Sequence, residues 1–243
     1  DRFAYALRMG VVKENPCSRI VLPERQESEK KIFTIEETQA FLDALDGEPL
    51  RYVVFFVLAI FGGYRREELL GFEFRDFNFT TNVVTVEHVS LYDPAHGIFT
   101  GPPKTARSHR SLKLPVWIFD MVKALRAEQS MRRMELGDQW HESGRLFTKL
   151  DGSPARPGDF YDWGKELCKR HGLPWYGIHQ FRHLNASLLI ANHTDVRTVS
   201  AALGHSQTST TLNIYSHAFE TAQAEASAGL AAALPVNFGK KKA

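Results

Sequence analysis

The stretch LRYVVFFVLAIF, Leu50 to Phe61, constrains this chain more than any other. It is apolar almost all round, so it cannot lie on a surface with one face in water. Its uninterrupted apolar run, Tyr52 to Phe61, is far shorter than the ~20 residues a membrane helix needs. It therefore predicts a helix buried inside a globular core, around which the rest of the chain must pack. Gly62 and Gly63 follow and break or kink it. With 243 residues, 43% hydrophobic and 24% charged, the chain can build such a core as one large domain, or one domain plus a fragment.

The surrounding pattern is mostly helical. Thr34 and Glu37 are spaced as a capping box and predict a helix from about Ile35 to Leu45. RREELL, after the glycines, is a short charged helix. Further helices are expected from Pro115 to about Met134, Asp159 to His171, His179 to Ala191, Val196 to Leu203 and Ser209 to His217. An alanine-rich helical tail follows. Between Phe72 and Leu114 the pattern changes. VVTVEHVS alternates and is β-branched, RSLKLP reads as a later strand, and YDPAHG and GPPK lie between them as turns. RLFTKLDGSPARP reads as a short strand plus loop. The fold class is mainly α with a small antiparallel β-sheet. No internal repeat is apparent.

At the front, residues 1–10 read as the tail of a helix stopped by Gly10, and the proline-punctuated, polar stretch after it reads as a linker. The first residue is Asp, which suggests a fragment or processed product with an upstream part missing. The domain division expected is 1–29, the end of an upstream unit plus linker, and 30–243, with a helical tail at 218–243. Two cysteines, Cys17 and Cys168, have no metal or framework spacing and read as free thiols of a reducing compartment.

Net charge is only +2, but its distribution is uneven. From Pro94 to Phe119 there is no acidic residue, while Lys104, Arg107, Arg110 and Lys113 are present. Charge alone leaves this as a solvated loop face. Three other clusters could carry chemistry. Arg65, in GGYRREELL, projects from the end of the buried helix, though alone it reads as a surface arginine paired with Glu67 or Glu68. His179 and Arg182, in GIHQFRHLNASLL, share a face at a helix start, where free N–H groups favour an anion. A zinc site at His179 and His183 is disfavoured, because Gln180 stands where a zincin needs Glu. Capping and core histidines are the plainer alternative. In LGHSQTSTTLNIYSH, Gly204 ends a helix, His205 follows, and the hydroxyls of Ser206, Thr208, Ser209, Thr210 and Thr211 can cap the next helix or bind phosphate. That helix carries Tyr215.

Each cluster alone is weak, but their order is specific. GYRREELL, then PKTARSHRSLKLP, HQFRH, LGH and YSH together resemble the tyrosine recombinase family of the phage-integrase type. The resemblance runs from about Lys30 to Phe219 and is nearest in style to integrases of conjugative transposons. It implies a tyrosine recombinase catalytic-domain fold. It implies that Arg65, Lys104, His179, Arg182, His205 and Tyr215 are catalytic, with Tyr215 the nucleophile and Glu68 in support. Lys104, Arg107 and Arg110 would contact DNA, and His183 and His217 would be structural or supporting.

The implied reaction needs no metal and no cofactor. Arg65, Arg182 and His205 would hold the phosphate oxygens as charge builds. Tyr215 would form a 3′-phosphotyrosine, and its ordinary pKa of ~10 calls for a base, for which His179 is the candidate. Lys104 would protonate the departing 5′-oxygen. The resemblance further implies double-stranded DNA at attachment sites as partner, a dimer to tetramer joined through the tail, an accessory directionality factor, an upstream core-binding DNA domain, and a bacterial cytoplasmic, nucleoid-associated setting. The alternatives are a type IB topoisomerase-like strand transferase, a non-catalytic DNA-binding module of the same fold, and a metal-dependent hydrolase.

Overall fold

The helix predicted from the apolar run lies in the core of the unit formed by residues 31–243. In a computed structural model, which describes residues 2–20, 31–103 and 108–233, it spans Leu50–Gly62 (α3), and every residue from Val54 to Ile60 is buried. Two compact units are present, residues 1–30 and 31–243. In the first, helix α1 (Arg2–Arg8) ends at Gly10, whose φ of +70° is left-handed. A single 3-10 turn at Pro16–Arg19 follows, its first amide taken by the Asn15 side chain.

In the second unit, α2 (Ile35–Ala44) starts on the predicted capping box, with Thr34 and Glu37 exchanging hydrogen bonds. After α3 come α4 (Arg66–Gly71), α5 (Val116–Leu136), α6 (Asp159–Arg170), α7 (Ile178–Ala191), α8 (Val196–Leu203) and α9 (Thr208–Ala233). The helix α3 packs on α4, α5 and α7. An aromatic core surrounds it: Phe55 stacks on Phe160 at 4.1 Å, and Phe56 meets Phe41 and Phe181 edge-on. Each such ring, fully buried, contributes ~1.5–3 kcal/mol. A smaller apolar cluster, Ala186, Ile190, Val199, Leu203 and Tyr215, joins α7, α8 and α9.

Among the described residues the β-region holds two sheets where one was expected. Strands β1 (Phe77–Asn78), β2 (Val83–Val86) and β5 (Arg110–Lys113) form an antiparallel sheet in the order β1-β2-β5. Strands β3 (Val89–Asp93) and β4 (Gly97–Gly101) pair separately as a hairpin. The run VVTVEHVS is thus divided between the sheets, at Glu87 and His88. There the His88 ring is drawn to within 3.3 Å of the Glu73 carboxylate.

One other expectation is corrected. RLFTKLDGSPARP forms no regular strand, only isolated bridges at Glu73–Arg145 and Thr148–Pro154, and the chain turns at Gly152 in a left-handed conformation. The helix expected to end near His217 and the tail helix after it both lie within α9, where two helices meet at a kink of non-helical backbone at Tyr215 (φ −120°, ψ 23°).

Candidate active site

The site is organised by the C-terminal end of α8. An α-helix leaves its last carbonyls without helical partners, and they form the negative end of its dipole. Asp195 caps the start of α8 through the amides of Arg197 and Thr198. At the other end Gly204 adopts a left-handed conformation, φ +62°, which costs a residue without Cβ little. The amides of Gly204 and His205 then return to the carbonyls of Ala201 and Ser200. The next carbonyls are taken by arginines from three other elements. Arg110 of β5 donates to Ala202 O at 2.6 Å, Arg182 of α7 donates to Leu203 O, and Arg65 donates to Gly204 O at 3.3 Å.

Three guanidinium groups so close repel one another unless an anion intervenes. Glu68 of α4 supplies it. Its carboxylate accepts from the Arg65 amide at 2.8 Å, the Arg65 guanidinium at 2.7 Å and the Arg110 fork at 3.0 and 2.8 Å. Burial alone would raise the Glu68 pKa. The hydrogen bonds and charge of Arg110, then those of Arg65, outweigh it and hold the carboxyl below its ordinary value.

Arg182 is buried and also donates to Gly63 O at 2.8 Å. Burial, then repulsion from Arg65, lowers its pKa to about 9. Gly63 is the left-handed cap of α3 (φ +59°), so the glycine pair noticed in the sequence sets this carbonyl in place. A Cβ there would stand 2.7 Å from Asn185 Oδ1.

His205 sits beside this cluster with Nδ1 2.8 Å from the hydroxyl of buried Thr211. Burial, then the charges of Arg182, Arg65 and Arg110, push its pKa down to about 4, so the ring is neutral at pH 7. A cavity of about 450 Å³ opens here, lined by Arg65, Glu68, His205, Ser206 and Thr210 among others. Positive charge, imidazole and hydroxyls on one wall suit a tetrahedral oxyanion.

Tyr215 lies in the seam of α7, α8 and α9, only 5% exposed. Burial raises its pKa to about 12, against the pull of Arg182. Its hydroxyl is 2.8 Å from Nδ1 of His183, itself buried. His179, expected to serve this hydroxyl, is exposed and meets the His183 ring edge-on at 4.9 Å. It lines a separate cavity of about 360 Å³ with Tyr161 and Tyr176.

The structure thus brings Arg65, Glu68, Arg182 and His205 together around one helix end, with Tyr215 in the adjoining seam. Arg110, expected along DNA, is instead folded inward, its side chain 6% exposed and forked onto Glu68. Strand alternation carried that signal, since Arg110 shares its face with Leu112 and Leu114. His183, expected to be structural or supporting, is the residue that meets Tyr215, and its i+4 spacing from His179 puts both on one helix face. Lys104, Arg107 and the His217 side chain lie outside the described residues.

Comparison with known proteins agrees with this architecture. The Tyrosine recombinase XerC-like protein of Caldanaerobacter subterraneus subsp. tengcongensis is 31% identical over 88% of this chain and 59% of its own. The ICEBs1 integrase of Bacillus subtilis is 25% identical over 92% of this chain and 60% of its own. The chain therefore spans about three-fifths of the length of these relatives. The Tn1549 transposon integrase, solved in complex with transposon right end DNA, superposes with a TM-score of 0.74 at 22% identity, over 91% of this chain and 74% of that one. The sequence profile of the phage integrase family matches residues 31–222, and with that span and these relatives the chain belongs to the phage integrase family.

Proposed function

We propose that this protein is a metal-independent site-specific DNA recombinase of a mobile element, which cuts and rejoins strands through a 3′-phosphotyrosine on Tyr215. The observation that carries the reading is the convergence of Arg65, Arg110 and Arg182 on the end of α8 and on Glu68, beside His205.

Such an arrangement acts by electrostatics fixed before the substrate arrives. Glu68 and the α8 carbonyls hold the arginines in place, and the scissile phosphate enters the cavity lined by Arg65 and His205. Arg65, Arg182 and His205 then stabilise the charge that builds on the equatorial oxygens. A phosphate there would offset the arginine charges that now depress the His205 pKa. Lys104 protonates the leaving 5′-oxygen, and Lys104 and Arg107 contact DNA. Arg110 acts as the arm that ties β5 to Glu68 and so positions Arg65. His179, at the exposed end of α7, faces the solvent side of the His183–Tyr215 pair. The energy of the broken bond stays in the protein–DNA link, and a new 5′-hydroxyl can reverse the step.

The partner is double-stranded DNA at attachment sites, in the bacterial cytoplasm at the nucleoid, with an accessory factor setting direction. Among the described residues no helix is long and apolar enough to cross a membrane. Residues 1–29 close an upstream core-binding domain that completes a clamp on the DNA. The tail of α9 docks on a neighbouring protomer. In support, residues 223–229 are exposed, an alanine-rich stretch of α9 beyond the kink at Tyr215.

Two duplexes carrying defined sites, incubated with the protein and EDTA, test the reading. Recombinant product joining the two sites is expected. Relaxation of supercoiled DNA without joining would favour a topoisomerase, and DNA binding with neither activity would favour a non-catalytic module.

A further inference from the structure

The 21 residues of α5 present two faces. One is ordinary: Ile118, Phe119, Val122, Leu125 and Gln129 are buried against the core. On a surface helix the opposite face is polar. Here it is not. Trp117, Ala124, Ala127, Met131 and Met134 all lie on it and all are exposed, the two methionines at 59% and 76%. Asp120, tied to Lys123, is the one polar residue among them. Together the six positions alternate in steps of three and four without a break, which is the seam along which two helices pair. At 1.5 Å per residue the seam runs about 26 Å. Single exposed apolar side chains need no explanation, but a continuous line of them marks an interaction surface. The line is widened at its start, where exposed Phe61 stands edge-on to Trp117 at 5.1 Å.

The charges beside the seam say what fits it. Lys123 flanks one side, and Glu128 and Glu135 flank the other. When two such helices pair in parallel, the residue just before one seam position faces the residue just after the next seam position on the other helix. Lys123 precedes Ala124, and Glu128 follows Ala127. A second copy of this chain therefore sets Lys123 against Glu128 twice, once each way across a two-fold axis. Antiparallel pairing would set like flanks together, lysine to lysine and glutamate to glutamate. Within the chain Lys123 meets Asp120 at 2.9 Å and Glu128 meets Arg132 at 3.0 Å. Pairs this exposed contribute little. An ammonium has three donors, so Lys123 can keep Asp120 and also take Glu128 of the second copy.

We infer that the outer face of α5 is a dimerisation surface, on which a second copy of this chain lays its own α5 in parallel. The inference is independent of the recombinase reading and uses neither the candidate site nor the tail of α9.

The test is sedimentation equilibrium of the full chain without DNA, at about 1 to 100 μM, where a pair of micromolar Kd passes from monomer to dimer. A concentration-dependent dimer is expected. Met131→Glu puts an unpaired carboxylate in the seam and is expected to raise the Kd at least about tenfold. Met131 is exposed in the single chain, and an unchanged melting curve at low concentration checks that this variant keeps its fold. Lys123→Glu is expected to weaken the dimer, and adding Glu128→Lys is expected to restore most of the loss, because the pair is then inverted and intact. Deleting residues 220–243 is expected to leave the dimer in place. A wild-type chain that stays monomeric throughout overturns the inference. So does a dimer whose Kd stays within about threefold of wild type in Met131→Glu against the expected tenfold, or one that disappears with residues 220–243, since the association then lies elsewhere on the chain. A dimer strengthened by Lys123→Glu, or a double variant no tighter than Lys123→Glu alone, overturns the parallel pairing and the inference with it.

Discussion

Glu68 shows how much one side chain settles here. Its carboxylate is the anion between Arg65 and Arg110 and accepts four hydrogen bonds from them. Removing one partner of a buried ion pair typically costs about 3–5 kcal/mol, because the charge left behind is uncompensated. Glu68→Gln is expected to lose that much in urea denaturation. The partly exposed Arg65 accounts for less of the loss than the buried Arg110. Stability within 0.5 kcal/mol of wild type, the ordinary range for surface changes, would show that the arginines do not need the charge. His205 makes a prediction of its own. Its folded pKa, about 4, lies below the ordinary 6.5. Between those values the unfolded chain binds more protons, so stability falls as pH falls from 6.5 towards 4 and is unaffected by this group above 6.5. His205→Gln should flatten the melting temperature across that window, and parallel curves would contradict it. The sequence made Arg65, Glu68, Arg182, His205 and Tyr215 legible through motif order. Arg110's inward turn was legible only in the strand alternation it shares with Leu112 and Leu114, and the His183 contact was not legible, because residue type alone does not say which partner a histidine meets.

Among the elements, two short helices set the site. The eight residues of α8 end where three arginines meet, and α4 has only six. Both are fixed by caps rather than by length, since helices this short are unstable alone. Asp195 and left-handed Gly204 cap α8, the Arg65–Glu68 capping box starts α4, and left-handed Gly63 closes α3 just before it, which is why GG and LG stand in the sequence where they do. Gly63→Ala puts a Cβ at φ +59° and 2.7 Å from Asn185 Oδ1. A cost of at least ~1–2 kcal/mol is expected from the backbone alone, together with slower adduct formation as the carbonyl serving Arg182 shifts. Unchanged denaturation and unchanged rate would contradict that. The buried helix α3 was the plainest element to read, because an all-apolar stretch has one place to go. Phe55→Ala, which leaves a cavity against Phe160 and Phe147, should cost about 3–5 kcal/mol. The strands were harder. Alternation indicated the strand character of VVTVEHVS but not its division between two sheets at Glu87 and His88, where His88 approaches Glu73, distant in sequence.

At the scale of the whole molecule, a net charge of +2 conceals a concentrated positive site. Balance over the chain and concentration at one helix end are compatible because Glu68 and carbonyl dipoles, not extra surface lysines, hold the arginines. On the proposed function, long-range attraction to DNA is expected to be correspondingly modest for this chain, since phosphate contacts dominate affinity. The tail belongs to this scale too. Tyr215 has non-helical backbone inside α9, so the proposed nucleophile sits at the joint between a packed segment and an exposed one. Deleting residues 220–243 should therefore impair assembly-dependent recombination more than single-strand cleavage, and undiminished recombination by the truncated protein would count against docking. The central claim, that Tyr215 attacks DNA without a metal, is tested most directly by trapping on a nicked suicide duplex in EDTA, with wild type beside Tyr215→Phe. The account predicts a denaturation-resistant protein–DNA adduct that the phenylalanine variant does not form. Strand cleavage that persists in the variant would contradict it.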